Sequence, residues 1–351
     1  MMRSRKKGFG TTRRQLMRVA GSAAALGALA GISAGPAFAQ TPARIRTALA
    51  WIPNHSFAGM WIALEKGYYR EQGVNVEWRP GGPNTPNPVE RVASGEVDIG
   101  MQANPRPVLE AITKGNDFVI LATIYQRNPS GLLSLAKTPI REAKDVVGKR
   151  VLCPTPTDAR TVETMLKLNK LSTSFTFVPA GFDPQALLDG QGDAMIAFVT
   201  NQVVALERKG MVKDKDFFHR SWGDLGLPGY STFIFAKRQF VDANRAAIVR
   251  YLRADIRGWT ENEKDPAYAA KLAAEKYGAD FGLDFARETR SNQLQAPFLH
   301  GPDTTANGIL YINKDLLRGP MYEALREGGV AALPDVDKVV DMSLLKEAHG
   351  K

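Results

Sequence analysis

Aromatic, amide and hydroxyl side chains recur where predicted strands of this 351-residue chain end. Amides pair donors with acceptors and aromatic rings offer flat apolar walls, so the combination suits a pocket for a planar, mostly neutral molecule. It predicts binding rather than catalysis. We expect ligand contacts from Trp51, Asn54, Phe57, Gln102, Asn104, Tyr125, Thr155, Thr157, Phe198, Asn201 and Tyr230.

Each of these residues also has a purely structural interpretation. Trp51 could pack over the core, Asn54 could cap a helix, and Phe57 could be an ordinary helix-packing residue. For the amides and Tyr125, the alternative is turn chemistry. Asp158 is predicted to be a helix N-cap rather than a ligand contact, because it stands where a helical pattern begins.

Groups that would indicate other chemistries are sparse. Arg106 and Arg160 are the exceptions among few basic residues near the strand ends, and they would suit an anion. The single cysteine, Cys153, is predicted to be a buried structural thiol, with a nucleophile as the alternative. The histidines are scattered, at His55, His219, His300 and His349. No metal-ligand spacing occurs, so we predict no metal and no other cofactor.

Residues 1–39 have the layout of a cleavable export signal. A basic stretch precedes an Ala/Gly/Leu run at 19–35, and Ala37 and Ala39 stand where signal peptidase accepts small residues. Arg13 and Arg14 lie in a segment that resembles the twin-arginine consensus. The apolar run is too short and too rich in glycine for a membrane anchor, and no cysteine follows it for lipidation. We therefore expect a free periplasmic protein.

The predicted signal also explains most of the basic charge. It holds seven of the 46 Lys+Arg and none of the 36 Asp+Glu, which leaves 39 minus 36, or +3, on the mature chain. Nucleic acid is therefore not an expected partner.

Strand and helix patterns alternate through two blocks of the mature chain, which predicts an α/β fold with two lobes built on parallel sheets. Turn-forming residues at 126–131 and 227–229 predict two chain crossings that act as a hinge. We assign 40–128 to the first part of lobe I, 129–228 to lobe II, and 229–351 to the return to lobe I and the C-terminal helices. Ligands of open α/β sheets bind beyond the carboxyl ends of the strands, so facing lobes predict one cleft.

Several segments resemble the family of thiamine-pyrimidine and related ABC solute-binding proteins, which also includes sulfonate, taurine and nitrate binders. They are WIPN at 51–54, AGMWIALEKGYY at 58–69, VASGEVDIG at 92–100, KDVVGKRV at 144–151 and LLDGQGDAM at 187–195. The resemblance implies a type II periplasmic binding fold. It also implies a monomer that presents a small-molecule solute to the permease and ATPase of an inner-membrane importer.

Two positions depart from the thiamine-pyrimidine branch. That branch commonly has a His where Phe57 stands and a Glu on the second lobe where Gln202 and Val203 stand. We expect a thiamine-related pyrimidine first, a flavin-like or other aromatic compound second, and a sulfonate or nitrate third. The fold also hosts a pyrimidine synthase and a sulfinate desulfinase. Phe57, the single cysteine and the export signal oppose the synthase. The desulfinase uses a Cys nucleophile, for which Cys153 near Arg160 is the candidate, but a buried structural thiol is favoured.

Overall fold

The structure is a computed structural model that describes residues 42–82 and 84–351. The export signal predicted at 1–39 lies outside the described residues. Within the part described, no helix is both long and apolar enough to cross a membrane.

Two five-stranded sheets organise the chain. The first has the order β2-β1-β3-β10-β4 and the second the order β7-β6-β8-β5-β9. The strands of the first sheet are β1 (Ala43–Ala48), β2 (Val74–Arg79), β3 (Ile99–Gln102), β4 (Phe118–Tyr125) and β10 (Ser231–Lys237). Those of the second are β5 (Ser130–Leu135), β6 (Arg150–Cys153), β7 (Thr176–Pro179), β8 (Ala194–Phe198) and β9 (Phe217–Ser221).

Helices cover both sheets. Around the first sheet, before the first crossing, lie α1 (Ala58–Glu65), α2 (Tyr68–Glu71), α3 (Pro88–Ser94) and α4 (Pro105–Thr113). The second sheet carries α5 (Pro156–Leu168), α6 (Gln185–Leu188) and α7 (Val204–Arg208). The C-terminal part contains α8 (Arg238–Lys264), α9 (Pro266–Leu272), α10 (Phe285–Gln295), α11 (Thr304–Asn307), α12 (Lys314–Leu316), α13 (Tyr322–Glu327), α14 (Val336–Val339) and α15 (Ser343–Ala348). Short 3-10 or π segments lie at His55–Phe57, Ala143–Val146, Val199–Val203, Ala273–Tyr277, Ala279–Phe281, Ala296–Leu299 and Leu317–Met321.

Both sheets are mixed, so the prediction of parallel sheets is wrong for one strand in each lobe, which is antiparallel to both of its neighbours. β10 runs antiparallel to β3 and β4, and β5 runs antiparallel to β8 and β9. The reason lies in the crossings. The chain leaves one lobe at the carboxyl edge of its sheet and enters the other lobe at the facing edge, so the entering strand runs opposite to its neighbours.

The sequence does not predict the strand β5, because Ser130 and Gly131 belong to the turn-forming stretch at 126–131. The structure instead pairs Gly131 with Ser221 on β9. A Cβ on Gly131 would lie 1.9 Å from the carbonyl oxygen of Arg220. Glycine is therefore required here by the close approach of two strands rather than by a flexible turn.

The two crossings lie side by side between the sheets. The first runs from the end of β4 to the start of β5, and the second from the end of β9 to the start of β10. The backbone N–H of Asn128 donates to the carbonyl oxygen of Gly229 at 2.9 Å, which joins the crossings directly. The boundaries predicted after 128 and after 228 fall inside these segments.

Each lobe has its own apolar core. In lobe I, Trp61 on α1 and Trp259 and Tyr251 on α8 are almost completely buried against the first sheet. In lobe II, the neighbouring Leu132 and Leu133 of β5 belong to different clusters on opposite faces of the sheet. Alternate side chains of a strand point to opposite faces, so both faces of the second sheet are covered.

Several predicted helices are interrupted. The apolar pattern over 57–72 predicts one helix, but it breaks at Gly67, whose φ of 75° is left-handed and ends α1 before α2 begins. The sequence also predicts one helix over 314–327, where the structure has a π segment with Pro320, which has no N–H to donate. It predicts another over 337–348, which divides into α14 and α15.

Candidate functional site

A cavity of about 310 Å³ lies between the lobes beside the crossings. Lobe I contributes side chains that follow β3 together with parts of α13, and lobe II contributes the first turns of α5 and the end of β8. Among its lining residues are Asn104, Arg106 and Leu325 from lobe I, and Thr157, Arg160 and Phe198 from lobe II. The cavity therefore has walls from both lobes.

Two buried aromatic residues of the second crossing line the same cavity. The indole Nε1 of Trp222 donates to the hydroxyl of Ser130 at 3.2 Å. The hydroxyl of Tyr230 accepts from the backbone N–H of Asn313 at 3.0 Å, and burial raises the pKa of Tyr230 to about 12. Because these polar atoms are engaged with the protein, the two residues offer mainly their rings to the cavity.

Four of the residues expected to contact a ligand line this cavity. Phe198 ends β8 and is 36% exposed. Asn104 uses its Oδ1 to cap α4 by accepting from the N–H of Arg106 at 2.9 Å, which leaves its amide NH2 able to donate. Thr157 accepts a 2.9 Å hydrogen bond from the guanidinium of Arg160. Tyr230 is the fourth.

The expected contacts from the loop after β1 lie elsewhere. Trp51 is 41% exposed but is not part of the cavity lining. Asn54 caps the turn His55–Phe57 by accepting from the N–H of Ser56 at 3.0 Å. Phe57, expected to face the cleft, is buried instead in a T-shaped contact with the ring of Trp61. Asn54 therefore acts as a helix cap and Phe57 as a packing residue, which are the alternatives to ligand contact given for them from the sequence.

Two expected residues at strand ends in lobe I are also directed into the protein. The side chain of Gln102 donates to Asn87 and accepts from the backbone N–H of Ala103, both at 3.0 Å. The buried hydroxyl of Tyr125 donates to Gln295 on α10 at 2.5 Å, and burial raises the pKa of Tyr125. Neither residue lines the cavity.

Thr155 is the N-cap of α5. Its hydroxyl accepts from the N–H of Asp158 at 3.2 Å, and the Asp158 carboxylate accepts from the backbone N–H of Thr155 at 3.0 Å. The two residues form a reciprocal capping box, and Thr155 does not line the cavity. The prediction of Asp158 as the N-cap is wrong: the helix begins two residues earlier, so Thr155 is the N-cap, and Asp158 completes the box from the first turn and also lines the cavity.

Asn201 belongs to a second area of contact between the lobes, which we call the α10 contact. It is formed by α10 and the segment 199–208 of lobe II. Arg290 on α10 makes two hydrogen bonds with the Glu207 carboxylate, at 2.7 and 2.8 Å. The hydroxyl of Ser291 donates to the carbonyl of Thr200 at 2.6 Å, and Asn201 accepts from Arg287.

The other face of α10 holds the loop after β1. The Glu288 carboxylate accepts from both the backbone N–H and the Nδ1 of His55, each at 2.8 Å. Burial alone would raise the pKa of Glu288, but the hydrogen bonds and charge of His55 outweigh it and hold that pKa below its ordinary value. Gln295 also donates to the carbonyl of His55 at 2.7 Å. α10 therefore fixes this loop away from the cavity.

Cys153 has the properties of a structural thiol. It is fully buried, its Sγ donates to the carbonyl of Val151 at 3.6 Å, and burial with the nearby Asp158 charge raises its pKa to about 12. A thiol with that pKa carries almost no thiolate near neutral pH. Among the residues described, no group of three His, Cys, Asp or Glu side chains is placed to hold a metal ion.

The cavity lining also includes residues that are not among the expected ligand contacts. Arg106 and Arg160 both line it, and they are the two basic residues near the strand ends that the sequence marks as suited to an anion. Arg106 stands two residues after Asn104, so its position near the end of β3 indicates a place at the cavity. Met321 has no such signal, because only the packing of the C-terminal helices brings it to the cavity.

Comparisons with known proteins support one family. The family model described as NMT1/THI5 like matches residues 54–269. A formylaminopyrimidine-binding protein from Halalkalibacterium halodurans is 23% identical over 271 residues, which cover 75% of this chain and 80% of the relative. A 4-amino-5-hydroxymethyl-2-methylpyrimidine phosphate synthase from Legionella pneumophila is 27% identical over 241 residues, covering 67% and 74%.

The crystal structure of the periplasmic aliphatic sulphonate binding protein SsuA from Escherichia coli aligns with a TM-score of 0.64 at 16% identity. The alignment covers 86% of this chain and 92% of that one. The expected type II periplasmic binding fold is thereby confirmed.

Proposed function

The chain belongs to the NMT1/THI5-like family of periplasmic binding proteins, and we propose that it captures a small planar solute in the cavity between its lobes. The solute is then presented to the permease and ATPase of an ABC importer. The export signal predicted at 1–39 and the binding proteins among its relatives support a periplasmic location and these partners.

The observation that carries this proposal is a cavity with walls from both lobes at the point where two hydrogen-bonded crossings join them. Rotation about the crossings changes the distance between Arg106 on one wall and Thr157 on the other. A solute that contacts both walls therefore stabilises the closed arrangement.

The lining indicates the type of solute. Phe198, Trp222 and Tyr230 supply rings, and a volume of about 310 Å³ is near the lower end of the roughly 300–1,000 Å³ usual for small-molecule pockets. A compound with one ring or a small fused ring system fits better than a flavin. A thiamine-related pyrimidine is the first neutral candidate, in line with the relative named as a formylaminopyrimidine-binding protein.

A catalytic role is the second candidate, because one relative is named as a pyrimidine phosphate synthase. Phe57 stands where the resemblance places a His, and its ring is buried away from the cavity. Cys153 is buried with a raised pKa. Both observations favour binding without turnover, and incubation of each bound ligand followed by mass spectrometry tests this by looking for any product.

The binding test is a thermal-shift screen of the mature chain, 40–351, against pyrimidines, flavins, aromatic acids, sulfonates and nitrate. A solute that binds only the folded state raises the melting temperature. For the best compound, Phe198→Ala is expected to weaken binding about tenfold by calorimetry, because a stacking wall is lost.

Phe182→Ala is the matched control. Phe182 belongs to the same lobe and is 51% exposed, but it does not line the cavity. Its substitution should leave affinity unchanged. A screen without any stabilising compound, or equal losses from both substitutions, would contradict the proposed site.

A further inference from the structure

The charged groups of the cavity are unequal in number. Its lining includes the guanidinium groups of Arg106 and Arg160 and the carboxylate of Asp158. That carboxylate is engaged in the cap of α5, where Oδ2 accepts from the N–H and the hydroxyl of Thr155 at 3.0 and 2.7 Å. The lining therefore contains two guanidinium groups and one carboxylate.

The two guanidinium groups differ in their partners. Arg106 donates through Nε to the Glu110 carboxylate at 2.7 Å and through Nη1 to the carbonyl of Gly328 at 3.1 Å. Arg160 donates only to the neutral hydroxyl of Thr157, and none of the described residues gives it a carboxylate within 4.0 Å. Arg160 is thus the cavity cation with most capacity to bind an anion, since a guanidinium presents five N–H donors.

Building on the proposed function, we propose that the solute is a planar aromatic monoanion, with its carboxylate or sulfonate bound by Arg160 and its ring placed among the aromatic residues of the crossings. This differs from the neutral solute that the amide-rich sequence favours. The amide of Gln102, which supported a neutral solute, is bonded internally to Asn87 and Ala103.

The apolar part of the lining distinguishes such a solute from an inorganic anion. Ile196, Phe198, Trp222 and Leu227 line the same cavity as Arg160. A small anion such as nitrate would leave these surfaces without contacts. A ring with one acidic group satisfies both parts, because the ring removes apolar surface from water and the acid forms charge-assisted hydrogen bonds.

Matched acid and amide pairs test the proposal. Binding of benzoate, benzamide, benzenesulfonate and benzenesulfonamide to the mature chain is measured by calorimetry at low salt, with 4-aminopyrimidine as a neutral heterocycle and nitrate as an inorganic anion. At least one acid is expected to bind about tenfold or more tightly than its amide, as expected for a charge-assisted contact. Arg160→Gln should remove this preference, and Arg160→Lys should retain part of it.

Arg141→Gln is the control, because Arg141 is exposed in the same lobe but lies outside the cavity lining. Melting temperatures without ligand establish that all variants fold. Neutral compounds binding the wild type and Arg160→Gln equally well, without preference for an acid, would overturn this inference while leaving the proposed solute-binding function intact. Nitrate binding as tightly as the aromatic acids would also overturn it, and a failure of every compound in this panel and in the wider screen would overturn both.

Discussion

The lobes meet in two places that use similar side chains in opposite ways. At the cavity, Arg160 contacts a neutral hydroxyl, and the Asn104 amide NH2 is able to donate. At the α10 contact, Arg290 forms a two-bond pair with Glu207, and Asn201 accepts from an arginine. The cavity has polar capacity for a ligand, whereas the α10 contact uses its polar groups within the protein.

This difference implies that ligand affinity and folding stability depend on different sets of residues. Groups already paired in the protein contribute to the folded state, and their loss leaves buried partners without hydrogen bonds. Groups with spare donors contribute little until a ligand arrives. We therefore expect substitutions around α10 to change the free energy of unfolding and substitutions around the cavity to change ligand affinity.

The largest effect on stability is expected from Asn292→Ala on α10. Asn292 is fully buried, donates to Asn262 and to the carbonyl of Pro266 at 2.7 Å, and accepts from Asn262 at 2.9 Å. Its loss leaves several buried groups unpaired, so the free energy of unfolding should fall by about 3 kcal/mol in urea titrations.

The control for that substitution is Asn75→Ala, at an exposed position of β2. It should change stability by less than about 0.5 kcal/mol. The double variant of Asn262 and Asn292 should lose less than the sum of its single variants, because each single change strands the other amide. A loss below about 1 kcal/mol for Asn292→Ala, or a loss of ligand affinity, would break the proposed separation.

The next effect depends on pH and concerns Glu288. Because the pKa of Glu288 is lowered in the folded state, its contribution to stability is present above the unfolded pKa of about 4.3 and is lost as pH falls through the folded pKa. Glu288→Gln should therefore be less stable than the wild type by about 1 kcal/mol at pH 6, and the difference should shrink toward pH 3. Urea midpoints across this range measure it.

Glu90→Gln serves as the matched carboxylate control, because Glu90 is exposed on α3. Its difference from the wild type should stay small at every pH. If the stability difference between Glu288→Gln and the wild type stayed constant from pH 6 to pH 3, the effect would come from altered packing. It would not come from loss of the negative charge of Glu288, which His55 stabilises.

Tyr230→Phe should have a smaller effect. This variant tests whether Tyr230 contacts the solute through its ring or through its hydroxyl. The substitution removes the acceptor for the backbone N–H of Asn313 but keeps the ring. Stability should fall by about 1 kcal/mol, while affinity for the best compound should change less than about twofold. A large loss of affinity would show that the hydroxyl, rather than the ring, contacts the solute.

The smallest expected effect is the coupling between Arg290 and Glu207. Their side chains are 44% and 22% exposed, so water screens the pair. A double-mutant cycle with Arg290→Gln and Glu207→Gln should give a coupling of about 0.5–1 kcal/mol that decreases with added salt. A coupling above about 2 kcal/mol would mean that water does not screen the pair and that it dominates the α10 contact.

Much of the fold follows from local sequence signals. The sequence patterns predict strands at 118–125, 150–153 and 194–198 and a helix at 285–295, which are the bounds of β4, β6, β8 and α10. Each is a continuous apolar or periodic run with clear ends. β5 was missed because Pro129 and Gly131 are typical of turns. Its pairing with β8 and β9 depends on residues 60 to 90 positions later, which local patterns do not show.

The site could be predicted less well, and Phe57 and Phe198 show why. Phe198 is the last residue of β8, and Phe57 lies in the loop after β1. Phe198 lines the cavity, whereas Phe57 is buried in a loop that α10 holds through Glu288 and Gln295. Whether Phe57 lines the cavity or is buried depends on Glu288 and Gln295, which lie more than 200 positions after the loop. The sequence around Phe57 therefore does not predict where its side chain lies.

The position of β10 between β3 and β4 has a consequence for biosynthesis. The second sheet is built entirely from 130–221, so a ribosome has delivered all its strands before it makes β10. Until residue 237 emerges, β3 and β4 lack the strand that pairs between them and present unpaired edges. The lobe synthesised second can therefore complete its sheet first, and the nascent chain needs protection from aggregation chiefly at the lobe where translation began.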